Sequence, residues 1–250
     1  MPHFPCEAAS ICLDCGRLKA GGAVSAVMPA NAETHCFRTD NIRSGIIRAM
    51  PPVDATRAAL RAELRQRRAA IAAADRIAAA TALAERLEDI PEFITDTNIA
   101  GYWAMGGELP LAAIIGGLRA RGQVYHLPVI DEHRRLKFAM WWPGMDIATN
   151  RLGIPEPAAT DASLAPDAID VVLVPLLAFD RRGHRLGSGG GYYDRSFAFL
   201  REVERPSRPL MVGIGYALQE LDHIEPEAWD VRLDYVATER ELVDCTNAEP

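Results

Sequence analysis

A glycine-rich segment carries the clearest chemistry in this sequence. Residues 178–195 read AFDRRGHRLGSGGGYYDR, and four of the five residues from 187 to 191 are glycine. Glycine tolerates positive φ and lets a ligand approach the backbone closely, so successive N–H groups can point at one anion. The guanidinium group of Arg185 could donate two hydrogen bonds to phosphate oxygens. The segment therefore predicts a phosphate-binding loop, although a tight surface turn would also explain its glycines.

The loop matches neither of the common nucleotide-binding glycine motifs. It lacks the Gly-Lys-Ser/Thr of a Walker A loop, and Tyr192 occupies the place of the last glycine in the dinucleotide-binding pattern. Asp194 follows just inside the predicted start of a helix. A carboxylate beside phosphate favours a Mg²⁺ ion between the two, but an aspartate there can also complement the helix dipole. Both interpretations of Asp194 stay open.

The first predicted helix carries a stripe of four arginines: Arg57, Arg61, Arg65 and Arg68. At a rotation of about 100° per residue, most of this stripe lies beside the apolar positions Leu60, Leu64 and Ile71. Arginines in such a place can lay their stems over apolar surface and keep their charges in water. The alternative is that they reach into a cleft and meet phosphates held by the glycine loop.

The other candidates are single residues. Glu108 follows a Gly-Gly turn near the carboxyl end of a predicted strand, where it could hydrogen-bond a polar heterocycle. Asp230 is either a second metal-binding carboxylate or a turn residue. Several aromatic residues could stack on a ligand, although packing explains such side chains more often: Trp103, Trp141, Trp142, Tyr192 and Tyr193. No histidine has a serine or cysteine partner at a recognisable spacing, so a nucleophilic triad has no support.

The elements that position these residues are predicted from local pattern. The predicted strands are residues 98–103, 123–130, 136–142, 171–175, 209–215 and 234–238. Helices are predicted from an Asp54 cap to about Ile71, from an Asp75 cap to about Ile90, over residues 110–121, and from about Tyr192. The continuous β-branched run at 171–175 is typical of a strand buried on both faces. Alternating strands and helices predict an α/β fold with a mainly parallel sheet covered on both sides.

The composition supports one folded domain. With 250 residues, 49% of them hydrophobic, the chain can bury a large core. We expect a single α/β domain over residues 51–250 and a poorly ordered extension over residues 1–50, where no sustained pattern is found. The extension contains a CxxC at Cys12 and Cys15, with His35 and Cys36 as further possible ligands. It lacks the second tight pair of a zinc finger, so metal binding there is the less favoured interpretation.

Charge and hydropathy limit the partners. There are 27 basic and 34 acidic residues, a net charge of −7, which argues against non-specific binding to nucleic acid or to acidic membranes. No transmembrane span or signal peptide is recognised, so we expect a cytoplasmic protein. The chain has five cysteines, and none lies between Cys36 and Cys245. This distribution predicts that no disulfide holds the domain together. No obligate protein partner is evident.

At these residues the sequence resembles the 5-formyltetrahydrofolate cyclo-ligase family. The similarity runs from about Arg57 to Arg240 and is carried by LVPLLAFDRRGHRLGSGGGYYDR, by LGIPEP, and by RAALRAELRQRR in the first helix. It implies an ATP-dependent ligase that closes 5-formyltetrahydrofolate to 5,10-methenyltetrahydrofolate, releases ADP and phosphate, and requires Mg²⁺. The implied fold is a Rossmann-like α/β/α sandwich shared with sugar-phosphate isomerases and CoA transferases.

The resemblance also implies roles for individual residues. The implied ATP-binding residues are Arg57, Arg61, Arg185, Leu186, Gly187, Ser188, Gly189, Gly190, Gly191, Tyr192 and Tyr193. The implied folate-binding residues are Trp103, Glu108, Ser188, Gly189, Gly190, Gly191 and Tyr192. Asp194 and Asp230 would bind Mg²⁺, and the catalytic residues would be Arg185, Tyr192 and Asp194.

The sequence departs from the family at three places. Arg57 stands where lysine is common, Ser188 replaces a larger side chain, and Leu109-Pro110 replaces a polar pair. Two other hypotheses remain beside the ligase. One is a non-catalytic folate- or nucleotide-binding protein of the same fold. The other is an enzyme that acts on a sugar phosphate or a CoA ester and needs no ATP.

Overall fold

A central sheet organises the part of the chain that the computed structural model describes, residues 57–247. The strands are β1 (Asn98–Ala100), β2 (Val124–Ile130), β3 (Leu136–Met140), β4 (Ile147–Thr149), β5 (Pro155–Pro157), β6 (Val171–Pro175), β7 (Ala178–Phe179), β8 (Arg185–Leu186), β9 (Leu210–Ile214), β10 (Tyr235–Ala237) and β11 (Leu242–Asp244). The α-helices are α1 (Arg57–Ala69), α2 (Ala73–Leu87), α3 (Pro91–Thr95), α4 (Ala112–Ala120) and α5 (Tyr192–Ser196). The predicted extension, its CxxC and the Asp54 cap lie outside the described residues.

The main sheet has seven strands in the order β11-β10-β9-β6-β1-β2-β3. The five inner strands, from β10 to β2, run parallel, and each edge strand pairs antiparallel to its neighbour. The predicted mainly parallel α/β sheet is therefore confirmed. The other four strands form two small ribbons, β4 with β5 and β7 with β8.

Strand β6 lies at the middle of this sheet and divides the core in two. Val171 and Leu173 pack in one cluster with Leu83 of α2 and Leu118 of α4. The alternate residues of the strand pack in a second cluster on the opposite face, together with Phe197 at the end of α5. Because successive side chains of a strand point to opposite faces, a strand covered on both sides must be apolar throughout. The prediction for residues 171–175 is confirmed.

Several predicted boundaries were wrong. Helix α2 begins at Ala73 with Ala72 as its N-cap residue, so Asp75 lies in the first turn and does not cap the helix. Strand β1 ends at Ala100 because the chain then turns away from the sheet, and the Tyr102 hydroxyl donates to the Leu109 carbonyl at 2.6 Å across that turn. Helix α2 ends at Leu87, three residues before the predicted Ile90. The strands predicted at 123–130, 136–142, 209–215 and 234–238 and the helix predicted at 110–121 are present, with one or both ends shifted inward by one or two residues.

No helix within residues 57–247 has the length and apolar character needed to cross a bilayer. The longest of them, α2, has 15 residues and includes Asp75, Arg76, Glu85 and Arg86. A membrane-spanning helix needs about 20 mostly apolar residues.

Replacing Leu173 with alanine should lower the free energy of unfolding by about 2–5 kcal/mol, because the side chain is fully buried at the centre of the sheet. Urea unfolding followed by circular dichroism measures the change. The matched control is Ile77→Ala on α2, whose side chain is 68% exposed; it should change the same quantity by about 0.5 kcal/mol or less. Equal effects of the two substitutions would contradict the described core.

Candidate active site

Two adjoining cavities open at the carboxyl ends of β6 and β1, where open parallel sheets bind ligands. The smaller, which we call the loop cavity, has a volume of about 200 Å³; it is lined by Arg57, Arg61, Pro175, residues 185–194, Trp229 and Asp230. The larger, which we call the apolar cavity, has a volume of about 480 Å³; its walls include Arg65, Arg68, Tyr102, Trp103, Glu108, Asn150, Leu152 and Glu156. Four residues line both cavities: Pro175, Ser188, Tyr192 and Tyr193.

The structure brings most of the predicted site residues together. All eleven predicted ATP-binding residues line the loop cavity, and so do the predicted metal ligands Asp194 and Asp230. Of the predicted folate-binding residues, Trp103, Glu108, Ser188 and Tyr192 line the apolar cavity. The three glycines at 189–191 line the loop cavity but not the apolar one. The binding roles themselves stay predictions.

A small hairpin, which the sequence did not predict, positions the loop. Strands β7 and β8 lie between β6 and the glycines, so Arg185 belongs to a strand. Asp180 holds the turn of the hairpin, because its fully buried carboxylate accepts N–H bonds from Arg182, His184 and Ile224 at 2.9–3.0 Å. Burial alone would raise the pKa of Asp180, but the bonds from Ile224 and from the backbone and ring of His184 lower it below its usual value. The charged carboxylate therefore fixes the hairpin.

The glycines are needed for the path of the loop. Gly189 has a φ of +100° and Gly191, the N-cap of α5, has a φ of +62°, values that other residues rarely adopt. At Gly190 the constraint is space, since a Cβ atom would lie 2.7 Å from the Tyr192 ring. Two guanidinium groups contact that ring, with Arg195 5.4 Å and Arg134 6.0 Å from its centroid. Tyr192 thus has a defined position at the boundary of the two cavities.

The buried Arg185 forms an ion pair with the half-buried Asp194 at the base of the loop. Arg185 is 7% exposed; its Nη2 atom pairs with Asp194 Oδ1, and its Nη1 atom donates to the Val231 carbonyl. The Val231 N–H donates to the same Asp194 oxygen at 3.3 Å. Both side chains are therefore already fixed by protein contacts, which connect the loop to the segment before β10. The second oxygen, Asp194 Oδ2, has no hydrogen-bond partner among the described residues.

The arginine stripe of α1 reaches the site, so the cleft interpretation fits the structure better than simple surface packing. Arg61 Nε donates to the Gly187 carbonyl at 3.0 Å, and Arg65 Nη2 donates to the Ser188 carbonyl at 2.9 Å. Arg57 lies over the segment that carries Asp230. It bonds the Glu225 carbonyl, and its Nη1 and Nη2 atoms lie 3.4 Å from Glu227 Oε1 and 3.8 Å from Asp230 Oδ2.

The loop cavity contains two carboxylates, Asp194 and Asp230, that could serve as ligands of a metal ion. Mg²⁺ in nucleotide sites is commonly bound by one or two carboxylates together with phosphate oxygens and water. Asp194 and Asp230 line one cavity, and each already accepts a hydrogen bond from the protein. Asp194 Oδ1 accepts from Arg185, and Asp230 Oδ2 accepts the Glu227 N–H at 3.0 Å. Residues 57–247 contain no cluster of three or more His, Cys, Asp or Glu side chains that could hold a metal unaided. Asp230 is thus a turn residue as well as a candidate ligand.

Glu108 is the principal carboxylate of the apolar cavity near β1. Its Oε2 atom accepts the Met105 N–H at 3.0 Å, and its Oε1 atom lies 3.6 Å from Arg68 Nη1. Burial raises the pKa of Glu108, and the Met105 N–H and the Arg68 guanidinium reverse only part of that rise. Trp103 stands nearby and packs edge to face on Trp141, with ring centroids 5.4 Å apart. Trp141 and Trp142 pack against the core and do not line either cavity.

Sequence reasoning missed three features of the cavities. Trp229 lines the loop cavity and is 59% exposed; its position next to Asp230 in the WDVRLD segment was the available signal. Glu156, in the LGIPEP segment, lines the apolar cavity, and its Oε1 accepts from Asn150 Nδ2 at 2.7 Å and from Ile130 N at 3.1 Å. Arg68 was placed on the α1 stripe but not assigned to the apolar cavity, because its partners lie far away in sequence.

A mainly parallel α/β sheet with a glycine-loop cavity joined to a larger apolar cavity is the arrangement of an enzyme that brings two substrates together. The model of the 5-formyltetrahydrofolate cyclo-ligase family matches residues 53–239. The chain belongs to this family, and it is accordingly a ligase. The match agrees with the extent of similarity expected from the sequence.

Named relatives agree with the family. The chain is 32% identical over 177 residues to the 5-formyltetrahydrofolate cyclo-ligase of Haemophilus influenzae. The aligned region covers 70% of this chain and 92% of that protein. The solved structure of Aquifex aeolicus 5,10-methenyltetrahydrofolate synthetase is similar with a TM-score of 0.66 and 25% identity, over 78% of this chain and 95% of that one. The Mycoplasma pneumoniae 5,10-methenyltetrahydrofolate synthetase structure shares the fold, with a TM-score of 0.58 and 22% identity over 74% of this chain and 100% of that one. The expected likeness to sugar-phosphate isomerases and CoA transferases stays a prediction.

Replacing Gly190 with alanine should raise the KM for ATP by about tenfold or more, which corresponds to about 1.4 kcal/mol of binding. The new Cβ would lie 2.7 Å from the Tyr192 ring, so either the ring or the loop must move. Steady-state kinetics measure the effect. Gly116→Ala in α4, where an added Cβ meets no atom within 4 Å, is the matched control and should leave KM unchanged. An unaltered KM in the Gly190 variant would show that the loop does not need this path.

Proposed function

We propose that the protein closes 5-formyltetrahydrofolate to 5,10-methenyltetrahydrofolate, using ATP and releasing ADP and phosphate. The observation that carries the proposal is the common wall of the two cavities. Pro175, Ser188, Tyr192 and Tyr193 line both, so a phosphate held in the loop cavity faces a ligand in the apolar cavity. This is the arrangement needed for transfer of a phosphoryl group between two bound molecules.

The reaction has a simple chemical reason for using ATP. The oxygen of an N-formyl group is a very poor leaving group, and phosphorylation turns it into a good one. The formyl oxygen attacks the γ-phosphorus and ADP leaves. The N10 nitrogen then adds to the formyl carbon and loses its proton, and phosphate departs with the former formyl oxygen as the ring closes. No side chain has to act as a nucleophile, so the protein contributes positioning and charge neutralisation.

The loop cavity would hold the triphosphate of ATP. Its glycines let phosphate oxygens approach the main-chain N–H groups closely, and Arg57 and Arg61 bring positive charge to its rim. The Arg185–Asp194 pair would keep the base of the loop rigid, which supports the catalytic role assigned to both residues. Tyr192, which contacts Arg134 and Arg195, would lie beside the place where the nucleotide and the folate meet. These side chains orient the reacting groups and exclude water from the transferring phosphoryl group.

Asp194 and Asp230 would hold a Mg²⁺ ion together with the phosphates of ATP. When bound, the ion neutralises charge on the phosphate oxygens. Asp194 Oδ2 supports this role because it has no hydrogen-bond partner among the described residues, while Oδ1 is engaged by Arg185 and Val231.

The apolar cavity would hold the reduced pterin. Trp103 and Tyr192 provide aromatic surface, and Glu108 provides an acceptor for the N–H donors at the edge of the heterocycle. The volume of about 480 Å³ lies in the range of small-molecule sites. The absence of an obligate protein partner and the cytoplasmic location stay predictions.

The direct test is an assay with purified protein, 5-formyltetrahydrofolate and Mg-ATP, followed by the absorbance of the methenyl product. Product should form only when ATP is present, and ADP should appear in equal amount. Binding of both substrates without product would favour a non-catalytic binding protein. Turnover of a sugar phosphate or a CoA ester without ATP would favour the other enzyme hypothesis.

Activity should fall as the pH is lowered, and the fall should begin at a higher pH than the usual pKa of an exposed glutamate would give. Burial raises the pKa of Glu108, so its carboxylate gains a proton at a pH where an exposed glutamate is still charged. The protonated form loses acceptor capacity for the pterin, so kcat/KM for the folate should decrease as pH falls through the raised pKa.

The Glu108→Gln variant tests this assignment. It should have a kcat/KM for the folate at least about tenfold lower, a loss of about 1.4 kcal/mol, and it should lack this limb of the pH profile. A variant that keeps the wild-type acidic limb would exclude Glu108 as the titrating group. Asp75→Asn on α2, remote from both cavities, serves as the carboxylate control.

A further inference from the structure

Arg68 is a buried charge at the wall of the apolar cavity. The residue is only 4% exposed, whereas arginine is almost never fully buried unless it is paired. Burial lowers the pKa of Arg68, although a guanidinium stays protonated in proteins. Such a group must be compensated by its neighbours, and its position is set by the contacts that compensate it.

The contacts of Arg68 join three separate parts of the chain. From α1, its Nε atom donates to the Gly106 carbonyl at 3.1 Å and its Nη1 atom donates to the Leu176 carbonyl at 3.2 Å. The same Nη1 atom lies 3.6 Å from Glu108 Oε1. One guanidinium therefore connects α1, the turn that carries Glu108 and the segment directly after β6.

Two buried tyrosines complete the surroundings of the guanidinium. Tyr102 and Tyr216 both interact electrostatically with Arg68. The Tyr102 hydroxyl is held by the Leu109 carbonyl at 2.6 Å, one residue beyond Glu108. The Tyr216 hydroxyl is buried and has no hydrogen-bond partner within residues 57–247. Arg68, Glu108 and Tyr102 line the apolar cavity, and Tyr216 lies behind them without lining it.

We propose that Arg68 is a positioning residue that orients the Glu108 carboxylate and so sets the preference of the apolar cavity for a heterocycle with two adjacent N–H donors. The inference rests on the proposed function, because it concerns how the folate is recognised. Glu108 is held on one oxygen by the Met105 N–H and approached on the other by Arg68, so the plane of the carboxylate is defined from both sides. An oriented carboxylate can accept two parallel hydrogen bonds from an amino group and a ring N–H.

This arrangement predicts selectivity as well as affinity. A site that is built to pair with two donors rejects an analogue that lacks one of them, because a buried acceptor is then left unpaired. The wild-type enzyme should therefore discriminate strongly against 5-formyltetrahydrofolate lacking its 2-amino group. Loss of Arg68 should reduce this discrimination. A Glu108 carboxylate that can rotate can bond an analogue with one donor without leaving its other oxygen fixed and unpaired.

The experiment compares wild-type enzyme with Arg68→Gln, Arg68→Lys and Glu108→Gln, using the natural folate and its 2-deamino analogue with Mg-ATP. Arg68→Gln should raise the KM for the natural folate by about tenfold or more and leave the KM for ATP within about twofold. Discrimination between the two folates should fall in the same variant. Arg68→Lys keeps the charge and should recover part of both, and it also serves if the glutamine variant does not fold.

Two further measurements separate positioning from general stability. Arg121→Gln, at the end of α4, removes an arginine that donates to Gln123 Oε1 at 2.7 Å and lies over the Phe93 ring. Arg121 lines neither cavity, so its loss should lower the melting temperature without changing discrimination. The double variant Arg68→Gln/Glu108→Gln should discriminate no worse than Glu108→Gln alone, because Arg68 acts through Glu108.

The outcomes distinguish this inference from the proposed function. Absence of methenyl product from the wild-type enzyme contradicts the proposed function. Product formation by the wild type together with unchanged discrimination in both Arg68 variants overturns the positioning role alone. Additive losses of discrimination in the double variant would likewise overturn it, because they would mean that Arg68 contacts the folate independently of Glu108.

Discussion

Bonds from the arginines of one helix to main-chain carbonyls of distant segments hold the site together. Arg61 and Arg65 bond the glycine loop at Gly187 and Ser188, and Arg68 bonds the turn at Gly106 and the chain after β6. Arginine suits this task because its planar fork presents several donors in fixed directions, whereas lysine offers a single flexible charge. The shape of both cavities therefore depends on where α1 packs.

The sheet supplies the second constraint. Strand β6 is apolar on both faces, so in this part of the chain the polar side chains that face the loop cavity come from beyond its carboxyl end, where the hairpin of β7 and β8 brings Arg185 to the site. The pair of Arg185 and Asp194 connects this hairpin to the segment before β10. As a result, a phosphate-binding loop and an apolar cavity share a wall formed by a few side chains. The ligase chemistry of the family needs that adjacency.

The sequence predicted those features that depend on local pattern or on glycine chemistry. The buried strand at 171–175 and the parallel sheet followed from side-chain periodicity, and the loop residues predicted to bind ATP do line one cavity. Position along the chain made Glu108, Trp103 and Asp230 candidates with alternatives left open, and the family resemblance gave each of them one implied role. The hairpin was missed because two-residue strands show no periodicity. The partners of Arg61 and Arg68 were also missed, because they lie 126 and 108 residues away and leave no local signal.

Transfer of a phosphoryl group from the nucleotide to the formyl oxygen is the step that the joined cavities would serve. A turnover experiment with oxygen-18 in the formyl group of the substrate, followed by mass spectrometry of the released phosphate, follows this step. Each phosphate should carry one labelled oxygen, because that oxygen leaves with the phosphoryl group. Unlabelled phosphate formed together with methenyl product would exclude the step, since ring closure would then proceed without phosphorylation of the formyl oxygen.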